Sequence, residues 1–237
     1  MGQAARAHLE SLLRTRNLDV TLTSTALWQT TPRDPAPTGH DALDQVLGGG
    51  WSRGHLSELV GPRSSGRTTI LHGALAAAAA RGEAVALIDT HDRFDPQSAD
   101  AAGLDLTKLL WVRDVGDAAR ALKAANLVLQ AGGFGLVAFD LADAPGRVVR
   151  QFPHTTWMRL ARIIEGSQTV ALLVGAEHIA RSAGGVTVAL DTAAPRWNGA
   201  SDRSRLMRGI EVRPRVIGSA LRVSTPDFTI PNSQTSG

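Results

Sequence analysis

Gly61-Pro62-Arg63-Ser64-Ser65-Gly66-Arg67-Thr68-Thr69 decides the fold of this 237-residue chain. Gly61 and Gly66 stand at G-x-x-x-x-G spacing, and the small pair Ser64-Ser65 keeps the loop low, so its backbone N–H groups can face an anion. Upstream, 56–60 (LSELV) reads as a short buried strand. Downstream, 68–80 is rich in Ala and Leu, with Ile70, Leu71, Ala74 and Leu75 on one side of a helix. Strand, glycine loop and helix in this order form a phosphate-binding loop, with further N–H donors and a positive dipole end at the helix start.

The same rhythm continues outward. Apolar strands are expected at 84–88, 109–112, 136–139 and 169–174, and helices at 114–130 and 154–165. A short helix at 41–47 stops at Gly48-Gly49-Gly50. Buried strands alternating with covering helices predict a three-layer α/β domain with a mainly parallel central sheet. Runs 186–190 and 207–212 are expected to extend that sheet in antiparallel fashion, separated by a loop at 195–204.

Four segments are expected: an amino-terminal helix (4–18) with a Pro-containing linker over 1–37, a core over 38–190, a basic extension over 191–228, and an irregular tail at 229–237. No signal-peptide core or membrane span is visible. With no Cys there is no disulfide, thiolate nucleophile or Cys-ligated metal. The net charge of +3 is unevenly placed. Between Pro195 and Arg222 seven arginines face two acids, giving +5 and leaving −2 for the remainder, a pattern that suits either a polyanionic or acidic partner or a solvated basic face.

Several residues bear on chemistry. Arg67 stands where a compact lysine ammonium would meet the terminal phosphates of ATP; it keeps the charge but brings a wider planar fork. The Thr68 hydroxyl can ligate magnesium, and Asp140, ending the 136–139 strand, can hold it through water or else cap the next turn. In Asp89-Thr90-His91-Asp92-Arg93-Phe94-Asp95-Pro96, His91 can take a proton from water or cap the loop, and Asp92 and Asp95 can serve turn geometry alone.

The runs Thr38-Gly39-His40-Asp41-Ala42-Leu43-Asp44 and Trp51-Ser52-Arg53-Gly54-His55-Leu56-Ser57-Glu58, the phosphate loop, IDTHDRFDP (88–96), LVAFD (136–140) and TVALLVG (169–175) resemble the RecA recombinase core. Within that superfamily the chain most resembles the ImuA-like accessory proteins of SOS mutagenesis cassettes. The resemblance implies a RecA-like P-loop NTPase core with ATP or ADP and magnesium at Gly61, Pro62, Arg63, Ser64, Ser65, Gly66, Arg67, Thr68, Thr69 and Asp140. It also implies that His91 stands where active relatives carry the catalytic glutamate. The sensor glutamine is replaced by Gly175-Ala176-Glu177-His178, so efficient ATP hydrolysis is not expected.

Further implications concern partners. Loops at 142–153 and 179–185 match DNA-contacting segments and carry Arg147, Arg150 and Arg181. Arg196, Arg203, Arg205, Arg208, Arg213 and Arg215 offer a second surface for DNA or protein, with Trp197 either an anchor or a core cover. The resemblance implies an accessory of translesion synthesis, cytoplasmic and nucleoid-associated after DNA damage. Its implied partners are an ImuB-like inactive Y-family polymerase relative, RecA, an error-prone replicative-type polymerase and DNA. An ATP-dependent recombination mediator and a nucleotide-independent DNA-binding module are the alternatives.

Overall fold

Short apolar runs make the strands, and glycine or proline between them sets where each stops. The computed structural model describes residues 34–180, 184–191, 194–199, 203–218, 222–224 and 228–231. The expected helix at 4–18 and Arg181 lie outside them. The chain runs α1 (Asp41–Leu47), β1 (Leu56–Val60), α2 (Arg67–Ala80), β2 (Ala84–Asp89), α3 (Pro96–Ala101), the 3-10 turn Leu106–Lys108, β3 (Leu109–Arg113) and α4 (Ala118–Ala131). It continues through β4 (Phe134–Asp140), α5 (Gly146–Val149), α6 (His154–Ile164), β5 (Val170–Gly175), β6 (Gly184–Leu190), β7 (Ala194–Asn198), β8 (Leu206–Val212), β9 (Pro214–Gly218), β10 (Arg222–Ser224) and β11 (Phe228–Pro231).

The main sheet has the order β10-β9-β6-β1-β5-β4-β2-β3. Its six strands from β6 to β3 are parallel. Because side chains alternate along a strand, each central strand feeds two cores. Leu59, Leu87, Ala138 and Leu172 join Ile70, Leu71 and Leu75 of α2 on one face. Leu56, Ile88, Phe139 and Leu173 join Ala121 and Ala125 of α4 and Trp157 and Leu160 of α6 on the other. Continuous apolar runs such as VALLVG are therefore buried on both faces, which gives the three-layer α/β fold the sequence predicts.

The carboxyl-terminal third differs from the expected arrangement. β6 lies parallel to β1, and the antiparallel extension comes from β9 and β10. The 207–212 run becomes part of β8 in a separate three-stranded sheet, β11-β8-β7. Within the expected 195–204 loop, 195–198 belong to β7, and 229–231, expected to be irregular, pair with β8. Hydrophobic periodicity marks a strand but not its partner, so these pairings were open in the sequence.

One close approach ties the segment before α1 to the core. A Cβ on Gly73, inside α2, would stand 2.6 Å from His40 Nε2. Glycine costs a helix interior about 1 kcal/mol relative to alanine, and here it makes room for the His40 ring. Thr38 N–H donates to Asp44 Oδ1 at 2.7 Å, securing the entry to α1.

Candidate functional site

Strand register brings the site together. Asp89 pairs with Asp140, Asp140 with Val174, and Val60 with Gly175, so four adjacent parallel strands end at one level. The chain leaves β1 at Gly61, where a Cβ would lie 2.7 Å from the Leu190 carbonyl oxygen and 2.7 Å from Ser65 Oγ. Only glycine fits that approach. Ser64 (φ 60) and Gly66 (φ 91) turn the backbone through the left-handed region, and α2 begins at Arg67.

Beside the loop lies a cavity of about 430 Å³, lined among others by Arg63, Ser64, Arg67, Thr68, Asp140 and Asp143. Arg67 is 8% exposed, and its buried Nη1 has no hydrogen-bond partner. Burial pushes its pKa down against the opposing pull of Asp140 and Asp143. Ser65 Oγ is likewise buried without a partner. Ser65 faces Gly61 beneath the loop, whereas Arg67 lines the cavity, and an unpartnered guanidinium at a helix start suits an anionic oxygen acceptor.

Asp140 accepts the Ala142 N–H at Oδ1, 2.8 Å away. Burial, reinforced by Asp89, raises its carboxyl to about 6 against the opposing Ala142 N–H and Arg67 charge. At the cavity mouth Asp143 pairs with Arg63 at 2.7 Å and Arg93 at 3.7 Å, and the Arg63 bond holds its pKa low. Thr68 is exposed on the same cavity. Thr68 and Asp140 together offer the hard oxygen donors that magnesium takes, so the implied ion fits this pair. Among the described residues no group of three or more His, Cys, Asp or Glu could hold a metal, so phosphate and water would have to complete its coordination.

The 89–96 turn is built for rigidity. Asp89, 2% exposed, accepts from the backbone N–H groups of Arg93 (3.0 Å) and Phe94 (2.8 Å) and from Trp111 Nε1 (3.3 Å). Asp92 forms a two-pronged pair with Arg113 at 2.8 and 2.7 Å, and Asp95 caps α3 through the N–H groups of Gln97 and Ser98. His91 is not among the residues lining the cavity. Its ring packs toward Gly116, where a Cβ would stand 3.7 Å from Nε2. The structure thus brings Arg67, Thr68 and Asp140 together on one cavity, while His91 stands off its lining but close enough to Asp143 for its charge to act on that carboxylate. Sequence reasoning missed Asp143 and the role of Arg93, although an acid three residues past Asp140 and an arginine in the 89–96 turn were the available signals.

Among the described residues, those proposed for nucleic acid fall in three places, on α5, in the second sheet and at β9 of the main sheet. Arg147 is exposed on α5, and Arg150 is ion-paired with Glu177. In the second sheet Arg196 pairs with Glu211 at 3.1 Å, Arg203 and Arg205 are exposed, and Arg208 falls in β8. Arg213 is exposed, and Arg215 lies 3.4 Å from Asp191. Behind the 176–180 turn, Glu58 on β1 is 0% exposed and accepts from the N–H groups of Ile179 (3.0 Å) and Ala180 and from Thr187 Oγ1 (3.0 Å).

Comparison with known proteins places these features in a wider group. Residues 25–146 match the family profile described as the RecA N-terminal domain. The chain is 40% identical over 110 residues to Protein RecA of Acholeplasma laidlawii, covering 46% of this chain and 33% of that protein. Against Protein RecA of Treponema denticola it is 38% identical over 109 residues, covering 46% and 26%. The match therefore spans a third or less of these relatives' length. The crystal structure of the RadB recombinase superposes with a TM-score of 0.59 at 16% identity, covering 83% of this chain and 95% of that one, which is a likeness of fold. Among the described residues no helix is long and apolar enough to cross a membrane.

Proposed function

Because this chain belongs to the RecA N-terminal domain family, we propose that it is a nucleotide-dependent mediator of DNA recombination and repair. Arg67 carries this conclusion. Its buried, unpartnered Nη1 at the head of α2 meets the phosphate tail of ATP or ADP, along with the loop N–H groups. Thr68 and Asp140 would hold magnesium, which when bound offsets the charge on the phosphates. Arg63 and Arg93 border the entrance and steer the anion inward.

Turnover is slow in this proposal. Asp89, Asp92 and Asp95 are engaged in the turn and His91 lies off the cavity lining, so this reading gives none of these four the task of orienting attacking water. The bound nucleotide then acts by holding a conformation. Calorimetry with ADP and ATP, paired with phosphate release in the presence and absence of single-stranded DNA, tests this. Saturable binding lost in Arg67→Ala, with little phosphate release, is expected. Absence of nucleotide binding overturns it.

The same engaged carboxylates favour a second reading, an ImuA-like adaptor in SOS-linked translesion synthesis, since an adaptor needs no turnover. Its partners would be an ImuB-like inactive polymerase relative, RecA and an error-prone replicative-type polymerase. Co-purification with each purified partner decides it, and failure with all three removes it.

A further inference from the structure

Sheet order sets three turns side by side at the strand ends. The strands run β1-β5-β4-β2 across the centre of the sheet, so the turn after β4 lies between the phosphate loop after β1 and the 89–96 turn after β2. Asp143, from the middle turn, meets an arginine from each side. Arg63 of the phosphate loop is 2.7 Å from its Oδ1, and Arg93 of the 89–96 turn is 3.7 Å from its Oδ2. All three line the cavity that Arg67 and Thr68 border. The Arg63 and Arg93 side chains are 81% and 68% exposed, against 26% for Asp143. The carboxylate is therefore the enclosed member, and the two long guanidinium side chains are open to change rotamer.

The charge around this cavity favours a further anion. Three guanidiniums, those of Arg63, Arg67 and Arg93, face two carboxylates, those of Asp140 and Asp143. Arg63 stands close enough to Arg67 for its like charge to act on it, and Asp143 acts in the same way on Asp140. A carboxylate offers a guanidinium the same pair of anionic oxygens that a phosphate group does. For Arg63 and Arg93, Asp143 thus fills the place of a phosphate.

We propose that Arg63 and Arg93 are specificity-determining residues that bind the terminal phosphate of a nucleoside triphosphate, and that Asp143 is the internal ligand this phosphate displaces. The proposal rests on the nucleotide-binding reading of the loop and adds which nucleotide the site prefers. Both phosphates of a diphosphate are held by the loop N–H groups and by Arg67 at the head of α2. A third phosphate extends to the mouth, where its charge repels the Asp143 carboxylate and draws the two arginines to its own oxygens. Exposed ion pairs are weak, so the exchange costs little and reverses when the phosphate leaves. The competing account is that the two ion pairs only tie the three turns together, a role that would not distinguish one nucleotide from another.

Calorimetry of the full chain with magnesium, using ADP and the β,γ-imido analogue of ATP, tests this. The substituted side chains lie at the cavity mouth, where polar exchanges leave the fold intact. Arg63→Gln lowers affinity for the analogue about tenfold, as for loss of one charge-assisted bond, and changes affinity for ADP by less than about twofold. Asp143→Asn tightens the analogue about threefold to fivefold and leaves ADP unchanged. In an Arg63→Gln/Arg93→Gln background, Asp143→Asn gives no gain. A gain kept in that background would come from removing a negative charge alone and overturns the proposal. Equal effects on both nucleotides, the mark of a structural tie, also overturn it, as does wild-type binding that Asp143→Asn leaves unchanged. A chain that binds neither nucleotide in any of these forms removes the reading of the loop itself, and the proposal with it.

Discussion

Arg67, in the first turn of α2, and Asp140, the last residue of β4, line one cavity and moderate each other's buried charge. The carboxylate counters the loss of basicity that burial imposes on the guanidinium, and the guanidinium counters the rise that burial imposes on the carboxyl. Burial still outweighs the attraction on both sides.

Replacing Arg67 separates stability from binding. In Arg67→Met the methylene packing is kept and the buried unpartnered Nη1 is gone. Ligand-free stability in urea should rise by about 1 kcal/mol, while ADP affinity falls at least about tenfold, as expected for loss of a charge-assisted bond. A concurrent loss of stability would mean that the guanidinium has a structural role.

The Asp140 carboxyl, raised to about 6, makes folding pH-dependent in a definite direction. Its unfolded value is about 3.9, so between these values the native state keeps a proton that the unfolded state has released. This contribution to stability is fully present at low pH, is lost as pH rises through about 6, and then stays level. Asp140→Asn keeps the Oδ1 acceptor for Ala142 and lacks the titration. In chelator, urea melts should show Asp140→Asn gaining on the wild type by on the order of 1–3 kcal/mol from pH 4 to pH 8.

Glu58 anchors the turn after β5 through donors on Ile179, Ala180 and Thr187. Glu58→Ala strands these buried donors, and a loss of about 3–5 kcal/mol is expected. Glu58→Gln retains one acceptor oxygen and should lose less. Chemical denaturation of both variants gives the order, and equal losses would refute the hydrogen-bond account.

Gly61→Ala places a methyl group 2.7 Å from the Leu190 carbonyl oxygen, a backbone atom that cannot swing away. A loss of about 1–3 kcal/mol is expected from such overpacking, accompanied by weaker ADP binding because the loop must move. Wild-type affinity at reduced stability would show that the loop tolerates displacement.

Much of the site was legible in the chain because it is local. The G-x-x-x-x-G spacing, the strand before it and the alanine-rich helix after it are contiguous, and their geometry follows from near neighbours. Asp140 was legible for the same reason, standing at the end of an apolar run. The partners that hold Asp92 and Asp95 in the turn, Arg113 from another strand and the first turn of α3, are set by tertiary structure. His91 occupies the expected position in the sequence but not on the cavity lining, since its ring orientation depends on the packing around Gly116.

The phosphate loop itself was therefore determined by sequence alone: its glycines, its arginine and its place between β1 and α2 require no distant partner to be recognised. Tertiary structure decided what faces it. Only the alignment of four strand ends brings Asp140 beside Arg67, ties Asp143 to Arg63 and Arg93, and leaves Nη1 buried without a partner. Burial is a property of the packed molecule, and it is burial that turns Arg67 from a charged residue in a motif into a donor awaiting an anion.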